Sequence, residues 1–220
     1  MVDIALKAAA IPAEPCGRAR TRRLAERERA LYRWLLRRFA DGAPPAPAEL
    51  KEAAAASGVD FEQAAAVFAA EDLVHVDPVS GAVLVAYPFS GTSRGHRVLI
   101  DGEHWVEAMC AIDALGITAM LKRPIEVVSR NPQSGGEVWV RVDPGDGAWR
   151  EPEHAVVLAG STRDAGPSFR GCCDVINFCA SGEHALQYLL AHPEISGHAI
   201  TIPEAIEAGR VIFGDLLKED

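Results

Sequence analysis

Apolar positions recur along this 220-residue chain first with a helical period and then with the alternation of strands. In "TRRLAERERALYRWLLRRFADG", Leu24, Leu31, Trp34, Leu35 and Phe39 fall at roughly helical spacing and the pattern stops at Gly42, which predicts an amphipathic helix with a basic outer face. "PPAPAELKEAAAASG" has a Pro-rich entry and a Gly stop, so a second, short helix is expected there. A third follows in "VDFEQAAAVFAAEDLVHV", with Asp60 as N-cap. "LVHVDPVSGAVLVAYPF" predicts two short strands around an Asp-Pro-Val-Ser-Gly turn. Three short helices and a β-hairpin form the winged-helix pattern.

"SGTSRGH" resembles a linker, and beyond it the period changes. "HRVLI" predicts a strand, "DG" a turn, and "EHWVEAMCAIDALGITAMLKR" a helix stopped by Pro124. "IEVVSR", "EVWVRV" and "HAVVLAG" are rich in Val and bounded by "NPQSGG" and "DPGDG", as strands of an antiparallel sheet are. "CCDVINFCAS" is expected as a further strand, "GEHALQYLLAHP" as a helix, and "TIPEAIEAGRVIFGDLL" as a last helix with a Gly break. The expected layout is α+β: a loose arm over 1–17, a winged-helix-like three-helix domain over 18–89, and over 90–220 a mixed or antiparallel sheet with packed helices.

The length allows a full core without disulfide staples. The first residues lack a basic start followed by a long apolar stretch, and no later segment runs long enough without charge to span a bilayer. The expectation is a soluble, cytoplasmic protein with no membrane partner, in a compartment where clustered thiols favour metal binding or catalysis over cross-linking. A net charge of -9 argues against general nucleic-acid affinity. Charge is uneven, however: ten basic residues stand against six acidic ones up to Leu50.

Cys110 and Asp113 stand three apart, a spacing that puts both side chains on one face of a helix. Met109, Ile112, Leu115 and Ile117 surround them, so the carboxyl is expected to be partly buried. Burial penalises the charged form and raises the pKa, which suits a general acid near neutrality. A structural hydrogen bond from Asp113 and a core role for Cys110 satisfy the same pattern. "GCCDVINFC" adds Cys172, Cys173 and Cys179. On an unbroken strand Cys172 and Cys173 face opposite sides, so only one serves a given site. No C-x-x-C or H-x-x-x-H occurs, which disfavours zinc. Read alone, the cluster is as readily structural as functional.

Together, "AMCAIDALG" and "FRGCCDVINFCAS" resemble the organomercurial lyase (alkylmercury lyase) family, whose signature is a Cys-x-x-Asp on a helix and a second Cys at the head of a Cys-Cys strand. The resemblance runs from about Ser90 to Leu217, and more weakly over the N-terminal helices. It implies that Cys110, Asp113 and Cys172 are the catalytic trio and hold the mercury of substrate and product, with Cys173 as an accessory neighbour. It further implies no dissociable cofactor, organomercury substrates, Hg(II) bound as product, and cytosolic thiols or a mercuric reductase to remove it. The chain departs from the family pattern in having Met109 where an aromatic residue is common, no further cysteine between Ala111 and Gly171, and Cys179 where Phe is usual.

The trio suits the chemistry. Soft thiolates are the ligands a soft metal prefers. One thiolate forms a stable linear adduct, whereas a second pushes electron density towards the bound carbon, and a nearby carboxylic acid supplies its proton. Two other readings fit parts of the chain: a winged-helix regulator that senses soft metals, and a non-catalytic soft-metal thiol protein indifferent to Asp113. Against the first, the arginines between Arg18 and Arg38 lie on the first helix, while "FEQAAAVFAAED" in the third, the usual reading helix, carries no Lys or Arg. The N-terminal helices are expected to pack over the catalytic part and shield it from water.

Overall fold

The computed structural model describes residues 18–145, 147–162 and 168–218; the expected arm, with Cys16, lies outside them. Helices α1 (Arg18–Thr21), α2 (Glu26–Ala40), α3 (Pro47–Ala56) and α4 (Phe61–Ala70) come first. The first expected helix therefore starts later than its apolar pattern suggested. A turn at Arg22–Ala25 lets Leu24 fold into the core beside Leu31, Leu35, Leu36 and Phe39. Asp60 caps α4 as expected, its Oδ1 accepting from the Gln63 amide at 2.9 Å.

Strands β1 (Val74–Val76), β2 (Val83–Ala86), β3 (Phe89–Ser90), β4 (His96–Ile100), β5 (His104–Ala108), β6 (Ile125–Arg130), β7 (Glu137–Asp143) and β8 (Gly147–Glu151) form one antiparallel sheet in the order β1-β2-β3-β5-β4-β6-β7-β8. The sheet joins the two sides of the expected linker, because Phe89 and Ser90 pair with Ala86 and Val85 on one side and with Ala108 and Glu107 on the other, while residues 91–95 lie on no strand. Phe39 of α2 stacks on Phe89, with ring centroids 5.5 Å apart, and the same hydrophobic core continues from Leu24 to Leu216.

The stretch "EHWVEA", expected as the start of a helix, is strand β5. Asp101 and Gly102 both take positive φ and turn the chain tightly, so Leu99 faces Trp105 and Val98 faces Val106 in a hairpin. The helix begins only at α5 (Ala111–Leu121). Almost every residue of α5 is buried, because one side meets β4 to β7 and another meets α8 (Ile202–Phe213). The two helices approach most closely at glycines: a Cβ on Gly209 would lie 2.8 Å from the Gly116 backbone.

The second correction concerns the cysteines. Cys172 and Cys173 are on no strand; they form a turn after the short helix α6 (Ser168–Gly171), with both amides donating to the Ser168 carbonyl at 3.1 and 3.0 Å. Only β10 (Asn177–Cys179) is extended, as the edge of a second sheet ordered β10-β9-β11 with β9 (Val156–Thr162) and β11 (Ile195–Thr201). The turn removes the opposite-face constraint that a strand would impose. Helix α7 (Gly182–Ala191) packs on this small sheet. Strands β8 and β11 were not anticipated. The exposed, glycine-bounded "GAWRE" and the polar "ISGHAIT" lack a strong apolar alternation and owe their extension to pairing with β7 and β9. Among the described residues no helix is long and apolar enough to cross a membrane.

Candidate active site

Three segments distant in sequence meet at the N-terminus of α5. Cys110 leaves β5 in extended conformation and is the N-cap of α5, its Sγ accepting from the Asp113 amide at 3.4 Å. Asp113, in the first turn, therefore faces the same side as Cys110, as the three-residue spacing predicts, although Cys110 caps the helix and does not lie within it. The Ala111 amide donates to the Ile176 carbonyl at 3.1 Å, tying the helix start to the cysteine turn. The Met109 amide donates to the Pro88 carbonyl at 3.1 Å, tying it to the segment that follows β2.

The result is a partly open pocket lined by Cys110, Asp113, Cys172 and Cys173. Ile112, Ile176, Ile212 and Phe213 supply apolar walls, and Arg20, Tyr87 and Ser168 the remaining polar side chains. The sequence-derived trio is thus brought to one cavity. Within it the tightest group is Cys110, Asp113 and Cys173, whose ligand atoms lie within 4.8 Å of one another. Cys173 Sγ is 3.7 Å from Asp113 Oδ2. Cys172 is the half-buried neighbour, its Sγ 3.5 Å from the Ser168 carbonyl oxygen. Cys179 is buried in the small sheet, apart from the pocket.

Burial sets the electrostatics. Asp113 is only 5% exposed, and desolvation pushes its pKa up to about 7, against hydrogen bonds from the Cys110 and Cys173 thiols that favour the carboxylate. Desolvation likewise pushes the Cys110 thiol up to about 12. Cys173, hydrogen-bonded to both Cys110 and Cys172 and fully buried, is raised well above the usual thiol range. Cys172 goes the other way: the hydrogen bond from Cys173 lowers its pKa, and the Arg20 guanidinium assists against burial. The site thus holds a carboxyl able both to accept and to give a proton near neutrality, two inner thiols that favour the protonated form and one outer thiol predisposed to be the thiolate.

A polar clasp fixes the cysteine turn. Arg20 Nη1 donates to Asp72 Oδ2 at 2.9 Å and to the Asp72 carbonyl at 2.6 Å, while Nη2 donates to Ser168 Oγ at 3.1 Å. The Ser168 amide and hydroxyl donate to Asp72 Oδ2 at 3.0 and 2.6 Å, and His75 Nε2 lies 2.7 Å from Asp72 Oδ1. Burial opposes ionisation of Asp72, yet these partners hold its pKa below the ordinary carboxylate value. Arg94 completes the hold, pairing with Asp174 and donating to the Phe169 carbonyl.

Other arginines of the N-terminal run bond within the protein: Arg23 to Glu71, Arg38 to Glu49, and Arg33 and Arg37 to the carbonyls of Leu216 and Leu217. Arg20 and Tyr87 carried no local signal of site membership. Each is brought in by packing of the N-terminal segment on the cysteine turn, a contact between residues far apart in sequence.

Known proteins resemble this chain in sequence and fold. Residues 89–214 match the family described as alkylmercury lyase. An alkylmercury lyase of Staphylococcus epidermidis is 30% identical over 180 residues, 82% of this chain and 80% of its own length. One of Streptomyces lividans is 27% identical over 191 residues, covering 86% and 85%. Among solved structures, one described as the mercury-bound form of MerB2 shares the fold, with a TM-score of 0.73 at 20% identity over 90% of this chain and 95% of that one.

Proposed function

The chain belongs to the alkylmercury lyase family, and from that premise we propose how its pocket divides the work of cleaving a carbon–mercury bond. The enzyme is an organomercurial lyase that converts R–Hg⁺ by protonolysis to the hydrocarbon R–H and Hg(II). The observation that carries the assignment of roles is one buried carboxyl, with its pKa near 7, set among three thiols in a single pocket.

Cys172, the outer thiol with the lowered pKa, captures R–Hg⁺ by displacing the small thiol on which it arrives. The Cys110 thiol then gives its proton to the Asp113 carboxylate, and its sulfur becomes the second ligand of mercury. A bound metal deprotonates even a thiol whose free pKa is high. Asp113 next delivers the proton to carbon, the Hg–C bond breaks, R–H leaves, and Hg(II) stays on two sulfurs. Two small cytosolic thiols, or a mercuric reductase, remove it and the cysteines regain their protons. No dissociable cofactor enters this scheme, and the setting we infer is cytoplasmic. Cys173 supports Asp113 and Cys172 by hydrogen bonding. A second arrangement is favoured by one distance: the 4.8 Å grouping of Cys110, Asp113 and Cys173 makes Cys173 the second sulfur once mercury has moved inward from Cys172.

The N-terminal helices and the β1–β2 hairpin we interpret as a winged-helix-like unit that covers the pocket, with Arg20 reaching into it. Pairing of its arginines with the protein's own acids and carbonyls disfavours a nucleic-acid role.

The test is release of benzene from a phenylmercury salt under excess small thiol. Benzene is expected from the parent and none from Asp113→Ala, which should still retain mercury; turnover by that variant would remove Asp113 from the reaction. Cys172→Ser and Cys173→Ser decide between the arrangements. Loss with the first alone supports the Cys110–Cys172 pair, and loss with both supports inward transfer.

A further inference from the structure

In the scheme above the second sulfur changes the charge of the centre. R–Hg⁺ held by two thiolates carries one net negative charge, in a pocket whose walls are largely isoleucine and phenylalanine. An anion formed in such surroundings is costly unless a hydrogen-bond donor is already aimed at it, and a donor placed in advance accelerates the step that forms the charge.

Apart from the thiols and Asp113, the polar side chains lining the pocket are Arg20, Ser168 and Tyr87. Arg20 and Ser168 are engaged, both bonded to Asp72. Tyr87 differs. Only 5% of it is exposed, and among the described residues its hydroxyl has no hydrogen-bond partner. A buried hydroxyl left without a partner lowers the stability of the fold. The backbone holds the ring firmly in place, since Tyr32 Oη donates to the Tyr87 carbonyl at 2.7 Å and the next residue, Pro88, accepts from the Met109 amide. Asp113 takes its resting hydrogen bonds from Cys110 and Cys173. Nothing in the resting pocket therefore accepts from Tyr87, whereas a thiolate sulfur bound to mercury would.

We propose that the Tyr87 hydroxyl is a catalytic hydrogen-bond donor that stabilises the anionic mercury dithiolate on the way to carbon protonation. It transfers no proton. Burial, followed by the prospective charges on Cys173, Asp72, Asp113 and Cys172, raises its pKa so that it stays a phenol throughout, and it lines the same pocket as the thiols. The proton that reaches carbon still comes from a cysteine by way of Asp113. After R–H departs, Hg(II) on two thiolates is neutral, so the hydrogen bond weakens and product release is not hindered. The inference rests on the lyase reading and adds to it a group that acts only while the charge exists.

Tyr87→Phe in the full chain tests it, because the substitution removes one unpartnered oxygen and leaves the ring. The expected result is a thermal midpoint equal to or above the parent's, retention of Hg(II) equal to the parent's, an unchanged KM for phenylmercury, and a kcat for benzene release lower by on the order of 10²-fold. A kcat within about twofold of the parent's overturns the proposal. So does a midpoint lowered by several degrees, which would give the hydroxyl a structural partner. If the parent itself releases no benzene the lyase scheme falls and this role with it; benzene from parent and variant at equal rates removes the tyrosine alone.

Discussion

Asp113 shows how one residue carries opposite consequences for stability and chemistry. Its folded pKa of about 7 lies above the ordinary aspartate value of 3.8, so the fold binds this proton more tightly than the unfolded chain does. The stabilisation is complete below about pH 3.8 and is lost as pH rises through 7. Asp113→Asn should therefore raise the thermal midpoint more at pH 8 than at pH 5, measured by calorimetry on the apoprotein, while ending hydrocarbon release. An equal shift at both pH values would show that the carboxyl is not desolvated. The cysteines separate in the same way. Iodoacetamide at neutral pH should alkylate Cys172 before Cys110 or Cys173, as peptide mapping would report, because only Cys172 is both half-buried and shifted towards the thiolate. Prior loading with Hg(II) should protect it. Legibility at this scale was high for identity and low for geometry. The Cys-x-x-Asp and Cys-Cys motifs pointed to the chemistry through the family they resemble, but which sulfur of the pair lies beside Asp113 depends on a turn that a strand-like apolar pattern concealed.

At the scale of elements, the pocket depends on the crossing of α5 and α8. Gly116 and Gly209 let the two backbones touch, and a Cβ on Gly116 would lie 2.4 Å from Phe213 Cδ2. Gly209→Ala should cost about 1–3 kcal/mol through overpacking against the Gly116 backbone, lowering the denaturation midpoint, and it should also reduce turnover by displacing Ile212 and Phe213 from the pocket wall. An unchanged midpoint would mean that the helices separate freely. The sequence pattern located α8 with a glycine break, and the helix does stop at Gly214, whereas Gly209 continues it. That Gly209 is a contact point only the partner helix reveals. The pattern failed at "EHWVEA", where apolar residues fit a helical period as well as a strand and the "DG" turn with β4 decided for the strand.

At the scale of the whole molecule, the N-terminal helices and the catalytic part are joined through a shared core and through the Arg20–Asp72–Ser168 clasp at the edge of the pocket. Asp72→Asn keeps the residue type tolerant of its positive φ but removes the charge that Arg20, Ser168 and His75 all address. It should destabilise by about 1–3 kcal/mol and slow the first capture of mercury, measured as the stopped-flow rate of phenylmercury binding, because the cysteine turn is no longer held. A normal capture rate would confine the clasp to stability. The sequence carried the reaction class only through the family resemblance of "AMCAIDALG" and "FRGCCDVINFCAS", since thiols and a carboxyl in apolar surroundings are compatible with a structural role as well. It also determined the α+β character, since helical and alternating periods are local. The tertiary structure alone decided which groups share the pocket and in what ionisation state. The burial of Asp113 was legible in its apolar neighbours, but the different environments of the thiols, the clasp from the N-terminal segment and the unpartnered Tyr87 hydroxyl arise where segments distant in sequence exclude water from one another, and no local pattern encodes that.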